Sequence, residues 1–278
     1  MPSSLFDLSG KVALVSGAAQ GMGRAMALAL AEAGADLLLV DINADGEQTA
    51  EDIRQLGRRA VFANCNVSEP DQIRALFVRL DHDFGRIDFL GNVAGEAQLG
   101  VPEDIELSAV EQTWRNLVLG RCCACQDAGR RMLRAGRGSI VNIGSLASIT
   151  ALGRGHIAYS MAMGAVAQMT RELSTEWSGR GVRVNAILPA QVVNPGLEKR
   201  MADDPKLRDK FLNAIPRGRL GAPDDIRGLA VFLASDASSW ITGALIPMDG
   251  GNLAMNAGGT VGGKESGVRG QGSGRNPV

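Results

Sequence analysis

Tyr159 lies in the stretch AYSMAMGAVAQM (158–169), with Met163 one helical turn further on. A phenol has a pKa near 10, so roughly one molecule in a thousand is phenolate at neutral pH. A cation a few ångströms away favours the charged form and brings such a group toward a working acid/base range. Methionine supplies neither charge nor a hydrogen-bond donor. Ser145, at the end of GSIVNIGS, offers a second hydroxyl. His156 stands just before Tyr159, and imidazole titrates in a range suited to proton transfer. Its glycine-flanked loop nevertheless reads as solvated surface, as do Arg154 beside it and His82 in DHDFGRID. Cys122, Cys123 and Cys125 crowd RCCACQ, and Cys65 lies apart. A CxxC pair can be half of a zinc or redox site, but no second pair or nearby histidine completes it. Buried free thiols filling a helix interface are expected, and no metal site.

A second cluster of chemistry lies near the start. KVALVSG runs into AAQGMGRAMALALAEAG, which places Gly17, Gly21 and Gly23 where a strand turns into a helix. Missing β-carbons there let backbone N–H groups and the helix N-terminus approach a pyrophosphate. Three glycines alone are a weak signal; the flanking strand and amphipathic helix, and a second strand ending in Asp41, make it strong. A carboxylate at that strand end can accept hydrogen bonds from an adenosine ribose and would repel a 2′-phosphate. Ile42 supplies no cation, so NAD is expected rather than NADP.

These groups need a frame. Short apolar runs at 11–17, 36–41, 60–66, 88–95, 138–145, 182–189 and 244–251 read as strands covered on both faces. Helical patterns fill 22–33, 44–56, 70–83, 108–135, 157–179 and 224–235 between them. Strand–helix alternation predicts an α/β fold, a Rossmann-type doubly wound parallel sheet of seven strands with helices on both faces. No linker divides it, so residues 1–252 read as one domain. The glycine-rich 253–278 is too poor in large apolar residues to offset its ordering entropy and reads as a flexible tail. The chain has 278 residues, 45% of them hydrophobic, and a formal net charge of −1. Its basic residues are scattered, which predicts no nucleic-acid or anionic-membrane footprint. No apolar run approaches the roughly 20 residues of a bilayer span, and the N-terminus lacks signal-peptide order. A cytoplasmic location is expected.

Several motifs, in order, resemble the short-chain dehydrogenase/reductase family. SGAAQGMG is similar to its TGxxxGxG signature, with Ser16 in the threonine slot, and NVAG (92–95) to its NNAG. GSIVNIGS resembles the strand carrying the active-site serine, and YSMAM falls on the YxxxK site. LPAQVVN (188–194) resembles PGxVxT, and ITGALIPMDGG the closing strand. The match runs from about residue 5 to 252. The resemblance implies Tyr159 as acid/base and Ser145 as the group holding the substrate oxygen. It implies dinucleotide contacts from Gly17, Gln20, Gly21, Met22, Gly23 and Asp41, with Asn66 and Val67 along the adenine. Asn92, Ala94 and Gly95 would run beneath the ribose, Tyr159 beside it, and Pro189, Val192 and Asn194 would flank the nicotinamide.

The chain departs from that pattern in places. Asn66 stands for aspartate, Ala190 for glycine and Asn194 for threonine. Met163 stands for the lysine that lowers the tyrosine pKa and bonds the nicotinamide ribose. The relay-asparagine slot falls on Leu117, and Asn116, one place early, would face elsewhere unless the helix bulges. The loop between Ser145 and Tyr159 is about one residue longer than usual. The expected activity is an NAD-dependent oxidoreductase acting on a small secondary alcohol or ketone, with an atypical site and weak, alkaline-favoured turnover that Met163→Lys should raise. A non-redox catalyst (isomerase, lyase or cyclase) and a non-catalytic NAD-binding protein are the alternatives. The resemblance further implies a substrate lid at 192–216 and a homotetramer or homodimer with helices near 108–135 and 157–179 at the contact.

Overall fold

Apolar runs bounded by turn residues become the strands Val12–Ser16 (β1), Asp36–Asp41 (β2), Ala60–Asn64 (β3), Phe89–Asn92 (β4), Gly138–Ile143 (β5), Val182–Pro189 (β6) and Leu245–Met248 (β7). They form one seven-stranded sheet in the order β3-β2-β1-β4-β5-β6-β7, and every neighbouring pair is parallel. This is the Rossmann-type arrangement expected. The structure is a computed structural model that describes residues 4–255; beyond 255 the expected tail lies outside the described residues.

The helices are Gly21–Glu32 (α1), Gly46–Gln55 (α2), Pro70–Phe84 (α3), Leu107–Trp114 (α4), Gly120–Ala135 (α5), Ile157–Trp177 (α6), Pro195–Asp203 (α7), Lys206–Leu212 (α8) and Arg227–Ala234 (α9). One core joins α1, α2 and α9 to the sheet through Met26, Leu30, Ile53 and Leu233. The other joins α3, α5 and α6 through Phe77, Leu80, Cys125, Ala128 and the half-buried Trp177. Two buried faces explain why the strands are almost wholly apolar rather than alternating.

Two departures from the sequence expectation bear on the site. The single helix expected over 108–135 is interrupted by a π-helical turn, Arg115–Leu119. Such a turn absorbs one extra residue. It also brings Gly120 against the loop after β3, where a β-carbon would run into the Val67 carbonyl. The segment expected as a lid holds the two short helices α7 and α8; Asn194 caps the first through its Oδ1, which accepts from the Leu197 N–H at 3.0 Å.

Polar pins cross the buried layers. Asn92 on β4 donates to Asn142 Oδ1 on β5 at 2.9 Å, and Asn142 donates in turn to Thr170 Oγ1 on α6 at 3.1 Å. Asn142 and Thr170 are fully buried. This chain fixes the helix that carries Tyr159 to the centre of the sheet. Removing its middle member breaks both bonds, each worth about 0.5–1.5 kcal/mol, while Asn92 keeps Cys125 Sγ and Thr170 keeps the Val166 carbonyl as partners. Asn142→Ala is therefore expected to destabilise the fold by about 2 kcal/mol, read as a lower urea midpoint at unchanged slope. A loss below about 1 kcal/mol would show that the network is not a structural pin.

Candidate active site

The strand order reverses between β1 and β4, and a crevice opens at the carboxyl ends of those strands, where open α/β sheets place their ligands. Gly17 leaves β1 with φ +72°, a left-handed conformation. A β-carbon on it would lie 3.1 Å from the Ala94 nitrogen, and one on Gly23 would strike the Gly17 carbonyl. Gly21, at φ +56°, opens α1, with Met22 and Gly23 in its first turn. Gln20 is the N-cap in extended backbone and makes no side-chain cap bond. The first-turn N–H groups, which a helix cannot pair internally, are thus free of a side-chain cap and suit an anion. Ser16 Oγ accepts from the N–H groups of Val93 (3.0 Å) and Ala94 (3.2 Å), which holds the two strand ends at a fixed separation.

Asp41 ends β2. Its carboxylate accepts from the Ala19 N–H on one oxygen and the Asn43 N–H on the other, both at 3.0 Å. It remains partly exposed, with lone pairs to spare for a ribose, and Ile42 beside it is 69% exposed. Asn66 Oδ1 accepts from the Ser68 N–H at 3.0 Å, so one lone pair is left for a ligand. Val67 follows at the crevice, its carbonyl against Gly120. The Asn92 amide is turned inward to Asn142 and Cys125. Gly95, at φ +134°, passes so close to the π turn that a β-carbon would reach Leu117 Cδ2 at 2.7 Å. The glycines and the uncapped helix end fit a dinucleotide pyrophosphate, and Asp41 fits a ribose.

Ser145 follows β5 and caps a short turn, Leu146–Ser148: its Oγ accepts from the Ala147 N–H at 3.2 Å. Its own hydroxyl hydrogen stays available to donate. That turn packs on α6, and Ala147, Tyr159, Met163, Leu117 and Val118 share one apolar cluster. Met163 is 1% exposed, so the position one turn after the tyrosine is filled by a thioether in apolar contact. The extra length before α6 is taken up in a left-handed stretch, Gly153, Arg154 and Gly155, at φ +65°, +55° and +72°. His156 lies edge-on to Tyr159, ring centroids 6.1 Å apart, with its Nδ1 against the carbonyls of Gly153 (2.8 Å) and Arg154 (2.9 Å). Partial burial lowers its pKa below the ordinary value, the two carbonyls opposing that fall, which favours a neutral ring. His156 is thus more enclosed than its glycine-flanked loop suggests. Arg154 stacks over the Phe211 ring of α8 at 5.2 Å, tying that helix to the tyrosine loop.

Pro189 closes β6. Val192 is buried and bridges to Gly221, while Asn194 is occupied at both ends, donating to the Val192 carbonyl at 2.9 Å and capping α7. Beyond the ends of β6 and β7 a cavity of about 300 Å³ is lined by Gln191, Val192, Arg217, Arg219, Asp225 and Asp249. The Arg219 guanidinium grips Asp225 with two bonds and lowers its pKa to about 2.

The π turn places Leu117, not Asn116, toward Met163. Asn116 Oδ1 instead accepts from Ser68 Oγ at 2.8 Å and from Gln112 at 2.7 Å, and its amide donates to the Glu96 carbonyl at 3.2 Å. One charged side chain that the sequence reading passed over also lies here. Arg121, in the first turn of α5, is only 5% exposed, and its guanidinium reaches the carbonyls of Ala94 (3.2 Å), Val93 (3.5 Å) and Leu117 (3.4 Å). The signal was an arginine inside the otherwise apolar LGRCCAC, on a helix face that must be buried. The cysteines beside it are free, as expected; Cys123 and Cys125 are buried, and burial pushes the Cys125 thiol up to about 12. Among the described residues no group of His, Cys, Asp and Glu is arranged to hold a metal, and no helix is long and apolar enough to cross a membrane.

Comparison with known proteins gives a consistent picture. The family model described as enoyl-(acyl carrier protein) reductase matches residues 17–252. The D-threitol dehydrogenase of Mycolicibacterium smegmatis is 42% identical over 248 residues, 88% of this chain and 94% of that protein. The NAD-dependent glycerol dehydrogenase of Listeria innocua is 35% identical, covering 88% of this chain and 95% of its own. Among solved structures, a gluconate 5-dehydrogenase from Burkholderia cenocepacia in complex with NADP and tartrate superposes with a TM-score of 0.85 at 31% identity, covering 90% of this chain and 98% of its own. With a glycine turn at the switch point, a serine after β5 and a tyrosine opening α6, the chain belongs to the short-chain dehydrogenase/reductase family of oxidoreductases.

Proposed function

We propose that this protein is an NAD-dependent dehydrogenase that oxidises a secondary hydroxyl of a small polyol to a ketone, and runs the reverse reduction. The observation that supports the reading is that Ser145 follows β5 and caps a turn packed against α6, the helix opened by Tyr159, while the glycine turn follows β1 of the same parallel sheet. A bound nicotinamide supplies the hydride acceptor for the carbinol C–H. The chain's own groups handle the rest: Ser145 donates a hydrogen bond to the substrate oxygen, and Tyr159, as phenolate, takes the hydroxyl proton as the C–O double bond forms. Relatives named for threitol and glycerol support a polyhydroxylated substrate. Arg154 and Arg200 flank the cleft mouth, each lowering the pKa of His156, and suit a substrate that also bears a carboxylate. The outward apolar side chains Leu107, Trp114 and Leu119 around the π turn, with Met161 on α6, support assembly into a homodimer or homotetramer through these helices.

Wild-type protein with NAD and a panel of threitol, glycerol, galactitol and gluconate should generate reduced nicotinamide absorbance. Tyr159→Phe should lower kcat by about 100-fold or more while calorimetric NAD binding is retained. A protein that binds NAD but transfers no hydride with any alcohol or ketone from neutral to alkaline pH would overturn the redox reading.

Asp41 and Ile42 support NAD over NADP, since a 2′-phosphate would meet a carboxylate and no cation. The ratio of kcat/KM for NAD over NADP should exceed about tenfold, about 1.4 kcal/mol, and should invert in the double variant Asp41→Ala, Ile42→Arg. Equal use of both nucleotides by the wild type would show that another residue governs the choice.

A further inference from the structure

Arg121 is a buried guanidinium in search of an anion. Among the described residues it has no carboxylate partner, and its bonds are three long contacts to main-chain carbonyls. Its Nε–H is buried with no partner at all. Arginine carries five N–H donors in a planar fork, so a substantial part of its capacity is unused. An isolated charge inside a protein is unfavourable unless something compensates it. The fold therefore tolerates a group that a leucine or valine would replace at no such cost.

Its location suggests why. The Leu117 carbonyl that Arg121 touches belongs to the residue packed in one cluster with Tyr159 and Met163. The Ala94 carbonyl lies on the strand-end loop expected beneath the cofactor ribose. The guanidinium thus sits between the dinucleotide crevice and the floor of the tyrosine pocket. Burial lowers its pKa to about 10, with the charge of Tyr159 the largest opposing influence, so it remains a cation at neutral pH and is electrostatically coupled to the phenol.

We propose that Arg121, reaching in from α5, supplies the positive charge that Met163 cannot, favouring the Tyr159 phenolate and offering its free N–H donors to the hydroxyls of a bound nicotinamide ribose. The cation is thereby moved from the tyrosine's own helix to the neighbouring one. The charged and titratable groups near the phenol are Arg121 on α5 and His156 on the loop before α6, with Arg154 and Arg200 acting on His156 and Cys125 facing Arg121. His156 is neutral through the alkaline range, and Arg154 and Arg200 are exposed and screened by solvent, which leaves Arg121 as the buried charge. Loss of that charge disfavours phenolate, so both the phenol titration and the alkaline rise of the oxidation rate move to higher pH.

Tyr159 is the only tyrosine of the chain, so tyrosinate absorbance reports this one phenol without any substrate. In Arg121→Gln its titration midpoint should lie about one pH unit above that of the wild type, and Arg121→Lys should restore most of the difference. His156→Gln should leave the midpoint in place. Met163→Lys should rescue Arg121→Gln but add no turnover to the wild type, against the gain the sequence alone predicts, because a second buried cation would repel the first. An unmoved midpoint in folded Arg121→Gln, or a Met163→Lys gain equal in both backgrounds, would overturn the proposal. Should Arg121→Gln fail to fold, Met163→Lys in the wild-type background still decides the matter: no added turnover is expected, and a clear gain would overturn the proposal. The inference rests on the dehydrogenase reading only for its turnover arm: a shifted titration in a protein without hydride transfer would sink that reading and leave the coupling of Arg121 to Tyr159 standing.

Discussion

A parallel sheet buried on both faces has only the ends of its strands to offer a ligand. That constraint organises this molecule. Helices cover β1, β2, β4 and β5 above and below, and between them polar side chains are paired, Asn92 with Asn142 and Asn142 with Thr170, with Arg121 the exception. Most groups read as functional accordingly emerge at the carboxyl ends: Gly17 from β1, Asp41 from β2, Ala94 and Gly95 after β4, Ser145 after β5, and Val192 after β6. Ser16 adds the tie that makes these ends one surface, because a single hydroxyl accepts from two successive N–H groups on the neighbouring strand.

The reacting half of the surface is assembled differently. Tyr159 is not on a strand; it is delivered by α6, whose place is set by the Asn142–Thr170 bond and by apolar packing of Ala147, Val118 and Met163. A methionine in that cluster is well suited to filling space and unsuited to polarising a phenol. The neighbouring helix provides the contrast. Its π turn lets Leu117 enter the cluster while Gly120 abuts Val67, and the residue that follows, Arg121, carries a charge into an interior that would otherwise be apolar. Helix irregularity and buried charge fall within one turn of each other, beside the residue that departs from the family pattern.

Much of this protein was legible in its sequence because it depends on local chemistry. Continuous apolar runs and alternating helices fix a two-faced parallel sheet, and glycines between a strand and a helix fix a turn whose backbone must be approached closely. The serine, the tyrosine and the motif order, from SGAAQGMG to MDGG, placed the chain in its family. Of the cysteines in RCCACQ, Cys123 and Cys125 are buried free thiols as read, whereas Cys122 is only half-buried.

The rest depends on neighbours distant in sequence. That Asn194 caps a helix, that Asn92 turns inward, and that Arg154 stacks on Phe211 follow from which segments meet across the fold. Periodicity predicts an uninterrupted helix over 108–135; the π turn arises where Gly120 must pass Val67 and Gly95 must pass Leu117, contacts that join separate loops. Arg121 is the sharpest case. The sequence by itself determined that the tyrosine has no cation one turn further along its own helix, because side-chain spacing within a helix is fixed by its pitch. Only the tertiary structure could decide whether a cation arrives from another helix, because charge acts through space and the distance between α5 and α6 is set by packing.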